Sequence, residues 1–214
     1  MSGLSHYYAA RAAEYERIYA KPERQDNLAT LAKVVAEYFS AASVLEMACG
    51  TGWWTQHAAS AARQVTGVDI NEEVLDIARA KIYAQTNTRF VCADLYGDVV
   101  LDGPFDAALA AHWWSHVDRR EQLEFFDALH RRLAPGSRVL LLDNRFVVGS
   151  STPVARIDAH GNTYQVRHLD DGATYEVMKN FPEAGELQAT LGALADVVTF
   201  VELDYYWYVT YRVR

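Results

Sequence analysis

The 214-residue chain reads as α/β: a three-layer sandwich with a seven-stranded, mostly parallel sheet whose last strand is antiparallel, preceded by helices and carrying a small β-hairpin insert. Three observations predict this class. Short, continuously apolar runs such as SVLEMAC (43–49), FDAALAA (105–111) and SRVLLLDN (137–144) alternate with longer amphipathic stretches, as expected of strands covered by helices on both faces. Half of the residues are hydrophobic, enough for a sizeable core. The last two strand-like runs, 197–203 and 205–213, have a link too short for a parallel crossover, so the final strand must oppose its neighbour.

The elements follow in order. Residues 7–19 form an aromatic-rich helix candidate, and Pro22 opens a second over 22–39, because proline is tolerated in a first helical turn. Residues 1–40 are expected to act as a helical lid. SVLEMAC is strand one and WWTQHAASAA (53–62) the helix behind it. ARQVTGVDI (62–70) is strand two, ending near Asp69, and Asn71 is placed to cap the next helix, NEEVLDIARAKIYAQ (71–85). TRFVCADL (88–95) and FDAALAA are strands three and four. DRREQLEFFDALHRRLAPG (118–136) reads as an amphipathic helix closed by Pro135 and Gly136, before SRVLLLDN as strand five. The crossovers should be right-handed. TYQVRHLDDGATYEVMKNF (163–181) looks like two strands around Asp171 and Gly172, a hairpin insert spanning 160–181. PEAGELQATLGALA (182–195) returns to helix before the closing strands. No repeat, low-complexity tract or long linker divides the chain, so 1–214 is read as a single domain.

Composition narrows the function. A formal net charge of -8 disfavours a surface that neutralises nucleic-acid phosphates and weighs against anionic membranes. Arg131 and Arg132 are expected to solvate a helix end. Cys49 and Cys92 lie in apolar runs and read as buried free thiols of a reducing compartment. The amino end has no continuous apolar block like that of a signal peptide, and no stretch is long enough to span a membrane, so a cytoplasmic protein is expected.

In open α/β sheets, ligands sit beyond the carboxyl ends of the strands. VLEMACGTGWWT (44–55) occupies that edge, where Gly50 and Gly52 allow close backbone approach. A dinucleotide fits poorly. Its G-x-G-x-x-G fingerprint would need glycine at Thr55, Trp53 and Trp54 intervene, and Glu46 would repel a pyrophosphate while suiting an amine. Asp69 can accept both hydroxyls of a ribose, and Asp94 can accept an adenine amino group while Leu95 packs on the ring. A helix cap is the other reading of Asp94.

The motifs VLEMACGTG, VTGVDI, CADL, FDAALAAHWW and LAPGSRVLLLD resemble those of the class I S-adenosylmethionine-dependent methyltransferases, from about residue 40 to 145. The closing helix–strand–strand order fits that family too. The resemblance implies that S-adenosylmethionine is the cofactor. It implies that Glu46 with Gly50 and Gly52 holds the methionine moiety, that Asp69 with Ile70 holds the ribose edge, and that Asp94 with Leu95 lies by adenine. Ala111 to Trp113 should line the methyl-transfer region. Tyr15-Glu16 resembles an aromatic-Asp pair that closes over the cofactor in many relatives, with Glu here in place of Asp.

For the methyl acceptor, His112 and His116 follow strand four, where either can orient a substrate or take its proton. A metal is the alternative for these histidines, since Asp143-Asn144 resembles part of a metal-binding set in some relatives. Ala111-His112 replaces the first acid of that set, so no metal is expected. Trp53, Trp54, Trp113 and Trp114 favour an aromatic or cationic acceptor if one or two stay at the pocket mouth. His6, Tyr7 and Tyr8 can join that wall, and Arg11 either meets the cofactor carboxylate or faces solvent. The N/D-P-P-F/Y tetrad of nucleobase and glutamine methyltransferases is missing, as is any RNA-binding module. The expected partner is a small molecule methylated on oxygen or nitrogen, with no nucleic acid and no membrane. The rivals are a protein or RNA methyltransferase and a non-catalytic module of the same fold. Tyr205 to Tyr208 leave open whether the last strand is core or the interface of a homodimer.

Overall fold

The computed structural model describes residues 3–214; the first two residues of the expected lid, and with them the start of the chain, lie outside the described residues. The main sheet has seven strands: β1 (Ser43–Met47), β2 (Gln64–Asp69), β3 (Thr88–Cys92), β4 (Phe105–Ala111), β5 (Leu133–Asn144), β9 (Ala195–Glu202) and β10 (Tyr206–Val213). Their order is β3-β2-β1-β4-β5-β10-β9. Every pairing among β1 to β5 is parallel, whereas β10 runs antiparallel to both β5 and β9. The chain steps outward from β1 to β3 and then returns to place β4 on the other side of β1. That reversal opens a crevice at the carboxyl ends of β1 and β4.

Alternation along each strand divides the core in two. Leu45, Met47, Ala108, Ala110, Val139 and Leu141 face one way, against α5 (Gln122–His130) and α6 (Ala184–Leu191). Val44, Ala107, Leu109, Leu140 and Leu142 face the other, against α2 (Gln25–Tyr38) and α3 (Trp53–Ala59). Strands buried on both faces have no polar side to show, which is why their sequences lack alternation. Tyr206, Trp207 and Tyr211 of β10 are buried, so the aromatic final strand is core.

Several boundaries differ from expectation. The first helix splits into α1 (Gly3–Arg11) and a 3₁₀ segment at Ala12–Ala20, and Pro22 begins a second short 3₁₀ turn before α2. α4 (Glu72–Ala80) stops short of 85, because Lys81 is extended and Tyr83 turns back to donate to the Ala78 carbonyl at 2.9 Å. α5 ends at His130, and the LAPG stretch is the start of β5, with Leu133 opposite Phe105. Arg131 and Arg132 do not simply solvate that helix end: both donate to the Gly97 carbonyl, at 3.2 and 2.9 Å, pinning the loop after β3. Asn71 makes no side-chain cap; its Oδ1 accepts from Ser5 Oγ at 2.8 Å. Both cysteines are free and Cys49 is buried, but Cys92 is exposed because β3 is an edge strand.

The insert is a three-stranded antiparallel sheet, β6 (Arg156–Ile157), β7 (Thr163–His168) and β8 (Thr174–Met178). It meets the amino-terminal segment above the carboxyl edge of the main sheet, where Tyr7 packs on Leu169 and Val177. Arg17 pairs with Asp170 at 2.7 Å across the same junction. Among the described residues, no helix is long and apolar enough to cross a membrane.

Candidate functional site

Two cavities meet over the crevice. The first, with about 1020 Å³ of empty space including its mouth, runs along the carboxyl ends of β1, β2 and β4. The sequence-predicted residues Tyr15, Gly50, Asp69, Ile70, Asp94, Leu95, Ala111 and His112 all line it. Asp69 is held ready at the end of β2. Its Oδ2 accepts from the Gly50 amide at 2.9 Å and its Oδ1 from the Asn71 amide at 3.0 Å. Each oxygen keeps a lone pair for a further donor. Burial pushes the Asp69 carboxyl above its ordinary value, while those amides pull it down. Asp94 uses one oxygen to accept from the Tyr96 amide at 2.9 Å, so it caps its own turn while lining the cavity.

Glu46 and Gly52 stand behind this surface instead of on it. The β1 alternation points Glu46 toward α3, where Thr55 Oγ1 donates to it at 2.6 Å. Burial pushes its carboxyl up to about 8. The two glycines differ in purpose. Both have left-handed φ, +54° at Gly50 and +76° at Gly52. A Cβ on Gly50 would meet nothing within 4 Å, whereas one on Gly52 would lie 2.5 Å from the Tyr83 hydroxyl and 3.1 Å from Ala78 Cβ. Gly50 thus leaves space at the ligand edge, and Gly52 lets the turn press against α4.

The second cavity, about 680 Å³ of empty space, lies between the amino-terminal segment, the β5 end and the insert. Tyr8, Tyr15 and His112 line both cavities and stand where the two adjoin. The amino-terminal segment is fastened over this junction by Ser5 to Asn71 and by Glu16, which pairs with Lys81 and accepts from Thr51 Oγ1 at 2.6 Å.

His112 sits one residue past β4, 6% exposed, with a left-handed φ of +60°. Such backbone is sparsely populated outside glycine and marks functional positions. Arg24 Nη1 donates to Asn144 Oδ1 at 2.9 Å, which turns the Asn144 amide nitrogen toward His112 Nδ1 at 3.1 Å. Burial holds the imidazole below its ordinary pKa, partly offset by Asp143, whose Oδ1 lies 3.4 Å away. Asp143 is fully buried, and Lys179 Nζ donates to it at 2.8 Å. Burial raises the Asp143 carboxyl, but Lys179 and His112 outweigh it and hold it well below the carboxylate range.

His116 is otherwise disposed. Its Nδ1 lies 2.6 Å from the Met178 carbonyl, so that nitrogen donates, and its Nε2 accepts from Tyr8 Oη at 2.6 Å. Burial pushes its pKa down to about 3, with nearby Lys179 adding to the effect. With both nitrogens engaged and no affinity for a proton near neutrality, His116 has none of the features of a general base; it ties α1 to the insert. The same engagement leaves it unable to ligate a metal, and among the described residues no three His, Cys, Asp or Glu side chains gather as ligands.

Trp54 and Trp114 are core, Trp53 stacks on Tyr19 at 4.3 Å, and Trp113 lines the first cavity. Arg11 neither fronts the first cavity nor simply faces solvent; it lines the second. Sequence reading did not single out Lys21, Arg24, Arg167 and Lys179 on the same walls. They come from two distant segments, the amino-terminal one and the insert, and no local spacing announces their meeting.

A family described as a methyltransferase domain matches residues 44–136. Two solved structures resemble the whole chain. The DhpI–SAM–HEP complex is 29% identical, with a TM-score of 0.78 and 99% of both chains covered. The DhpI–SAH complex is 28% identical, with a TM-score of 0.76, covering 99% of this chain and 95% of that one. The YqeM protein of Bacillus subtilis, named as a methyltransferase, is 30% identical over 116 residues, which is 53% of this chain and 45% of YqeM. The matches span less than half the length of such curated relatives.

Proposed function

We propose that this chain, which belongs to the class I S-adenosylmethionine-dependent methyltransferases, moves a methyl group from S-adenosylmethionine in the first cavity to an oxygen or nitrogen of a small molecule in the second. The observation that carries this reading is that Tyr8, Tyr15 and His112 line both cavities, so a donor in one and an acceptor in the other would meet at these side chains. The residues present fit the cofactor. Asp69 offers spare lone pairs on both oxygens where a ribose diol would lie, Gly50 leaves its Cβ position empty, and Leu95 with Ile70 supplies apolar surface for a ring. Asp94 would take the adenine amino group on its other oxygen. Glu46, one layer behind and bonded to Thr55, would brace the start of α3 beneath the turn instead of touching the cofactor as the resemblance implied. Bound there, the cofactor supplies an electrophilic methyl on a positively charged sulfur.

The protein's own part is placement and exclusion of water. Of the 1–40 segment expected as a lid, residues 4–24 roof both cavities while α2 is a layer of the core, and the 160–181 insert forms the far wall. His112, neutral and wedged at the junction, orients the acceptor; His116 holds the lid down. A roofed space of this size suits a small acceptor better than a macromolecule.

Calorimetry with S-adenosylmethionine and S-adenosylhomocysteine tests the donor half. Asp69→Ala should weaken either by about 30-fold or more, the equivalent of losing charge-assisted hydrogen bonds of about 2 kcal/mol in sum. Absence of binding by the unaltered protein would sink the proposal. For the other half, His112→Gln should slow methyl transfer; an unchanged rate removes His112 from the chemistry at the junction.

A further inference from the structure

The second cavity carries an unusual charge for so acidic a chain. Arg11, Lys21, Arg24, Arg167 and Lys179 all line it, and no Asp or Glu does. Among the described residues, Lys179 alone of these five forms an ion pair with a carboxylate, that of Asp143 behind the wall. The other four donate to neutral oxygens: Arg11 to Tyr7 Oη, Lys21 to the Ser150 carbonyl, Arg24 to Ser150 Oγ and Asn144 Oδ1, and Arg167 to Thr152 Oγ1 and Gln165 Oε1. Arg24 is 6% exposed, and its guanidinium lies over the Tyr205 and Tyr206 rings at 5.4 and 5.6 Å, so it is fixed in place. Burial holds both Lys21 and Arg167 below their ordinary pKa values, and like charges add to this: Arg24 beside Lys21, and Arg11 beside Arg167. Glu23, which accepts from the same Ser150 hydroxyl, offsets part of the charge of Lys21 and Arg24 from outside the cavity. Cations gathered in a partly buried space with so little counter-charge are costly unless a ligand brings the missing charge.

We infer that the methyl acceptor is a small oxyanion, a carboxylate or a phosphorus oxyacid, gripped by Arg11, Arg24 and Arg167 and methylated on its ionised oxygen. This rests on the methyl-transfer reading above and narrows it. The same field rejects a protonated amine and so overturns the cationic acceptor that the tryptophans suggested. It also accounts for the missing base. His116 has both nitrogens engaged, His112 Nδ1 accepts from the Asn144 amide so that the neutral ring carries its proton on the unpartnered Nε2, and the Tyr8 and Tyr15 hydroxyls are held protonated by burial. An acceptor that arrives ionised needs no proton removed. Its oxygen lone pair forms the new O–CH₃ bond while the S–CH₃ electron pair returns to sulfur. The acceptor thereby loses one negative charge, the donor loses its positive charge, and no proton moves. The donor's own carboxylate can occupy one of the cations and Glu23 offsets part of Lys21 and Arg24, which together still fall short of the charge gathered there.

The test uses full-length protein saturated with S-adenosylhomocysteine, so that donor-side charges are already satisfied. Inorganic phosphate, propionate, propionamide and propylammonium are titrated by calorimetry, and S-adenosylmethionine is titrated separately into the free protein. At least one of the two anions should bind ten times or more tighter than propionamide, and propylammonium should not bind. Preference for phosphate or for propionate identifies which oxyacid the site takes. Arg167→Gln should weaken the anion by about tenfold to hundredfold, as expected for a charge-assisted hydrogen bond. Arg167→Lys should retain most of the affinity, and neither should change S-adenosylmethionine affinity more than about twofold. With the preferred anion class as acceptor, mass spectrometry should find a methyl ester. Equal affinity for anion and amide, or anion affinity untouched by Arg167→Gln, refutes the inference while leaving the parent reading intact. Failure of S-adenosylmethionine to bind removes the parent reading instead, whatever the anions do.

Discussion

Replacing Gly50 and Gly52 one at a time with alanine should separate two functions that look alike in sequence. At Gly52 the strain of a left-handed φ of +76° costs an L-residue roughly 1–2 kcal/mol. The new Cβ would also lie 2.5 Å from the Tyr83 hydroxyl, which cannot swing aside cheaply because it donates to the Ala78 carbonyl at 2.9 Å. Overpacking of that kind adds about 1–3 kcal/mol. The sum, about 2–5 kcal/mol, corresponds in a chain of this size to a fall in Tm of roughly 5–15 °C. At Gly50 only the strain applies, since a Cβ there meets nothing within 4 Å. Gly50→Ala should therefore lose about 1–2 kcal/mol of stability, but its methyl stands in the cofactor space and should reduce S-adenosylmethionine affinity about tenfold or more, an effect of about 1.4 kcal/mol or greater. Urea titration with calorimetry measures both quantities on each variant. Adding Tyr83→Phe to Gly52→Ala should recover about 1 kcal/mol of the clash, a coupling of the size found between residues in contact. Equal stability losses at the two glycines, or no coupling to Tyr83, would falsify the division of labour.

Three other outcomes follow from the buried groups. Lys179→Met should destabilise the fold by about 3–5 kcal/mol by leaving Asp143 charged and alone, and adding Asp143→Asn should recover much of that; thermal unfolding of the four members of the cycle decides it. Glu46 has a folded pKa near 8, above its unfolded value, so its contribution to stability is complete below about pH 4.3 and declines as pH rises through 8. In the cofactor-free protein Glu46→Gln should flatten that decline between pH 6 and 9, and an unaltered slope in urea melts at those two pH values contradicts the buried-acid account. His116→Gln should raise the KM for donor and acceptor together by loosening the lid, while the pH profile of kcat keeps its shape. Loss of a limb near pH 6–7 from that profile would restore His116 as a base.

The electrostatics of the whole chain and of the site point in opposite directions. A formal charge of -8 favours a protein that avoids polyanions. The second cavity reverses it by gathering cations from α1, residues 21–24, β7 and the residue after β8, with no acid among its described lining residues. An average over composition cannot report a field confined to one pocket, where low-dielectric walls strengthen each charge.

By itself the sequence determined the sheet, its antiparallel last strand and the meeting of Gly50, Asp69 and Asp94 along one cavity. These depend on relations between near neighbours: apolar runs force strands, a link too short forces a reversal, and Gly50, Asp69 and Asp94 each end a strand whose direction is already set. Parallel strands bring their carboxyl ends to one edge, so three separate motifs converge without further information. Tertiary structure alone decided the acceptor side. Arg11, Arg24 and Arg167 meet only because the amino-terminal segment folds back against an insert some 150 residues later, as in the Arg17 to Asp170 pair, separated by 153 positions. Nothing local distinguishes those arginines from solvated ones. His116 makes the same point: its residue type and place after β4 suit a base, and two hydrogen bonds from distant segments remove both nitrogens from that use. Chain continuity encodes what lies within one strand–helix unit, and charge and proton affinity in a cavity depend on every element that closes around it.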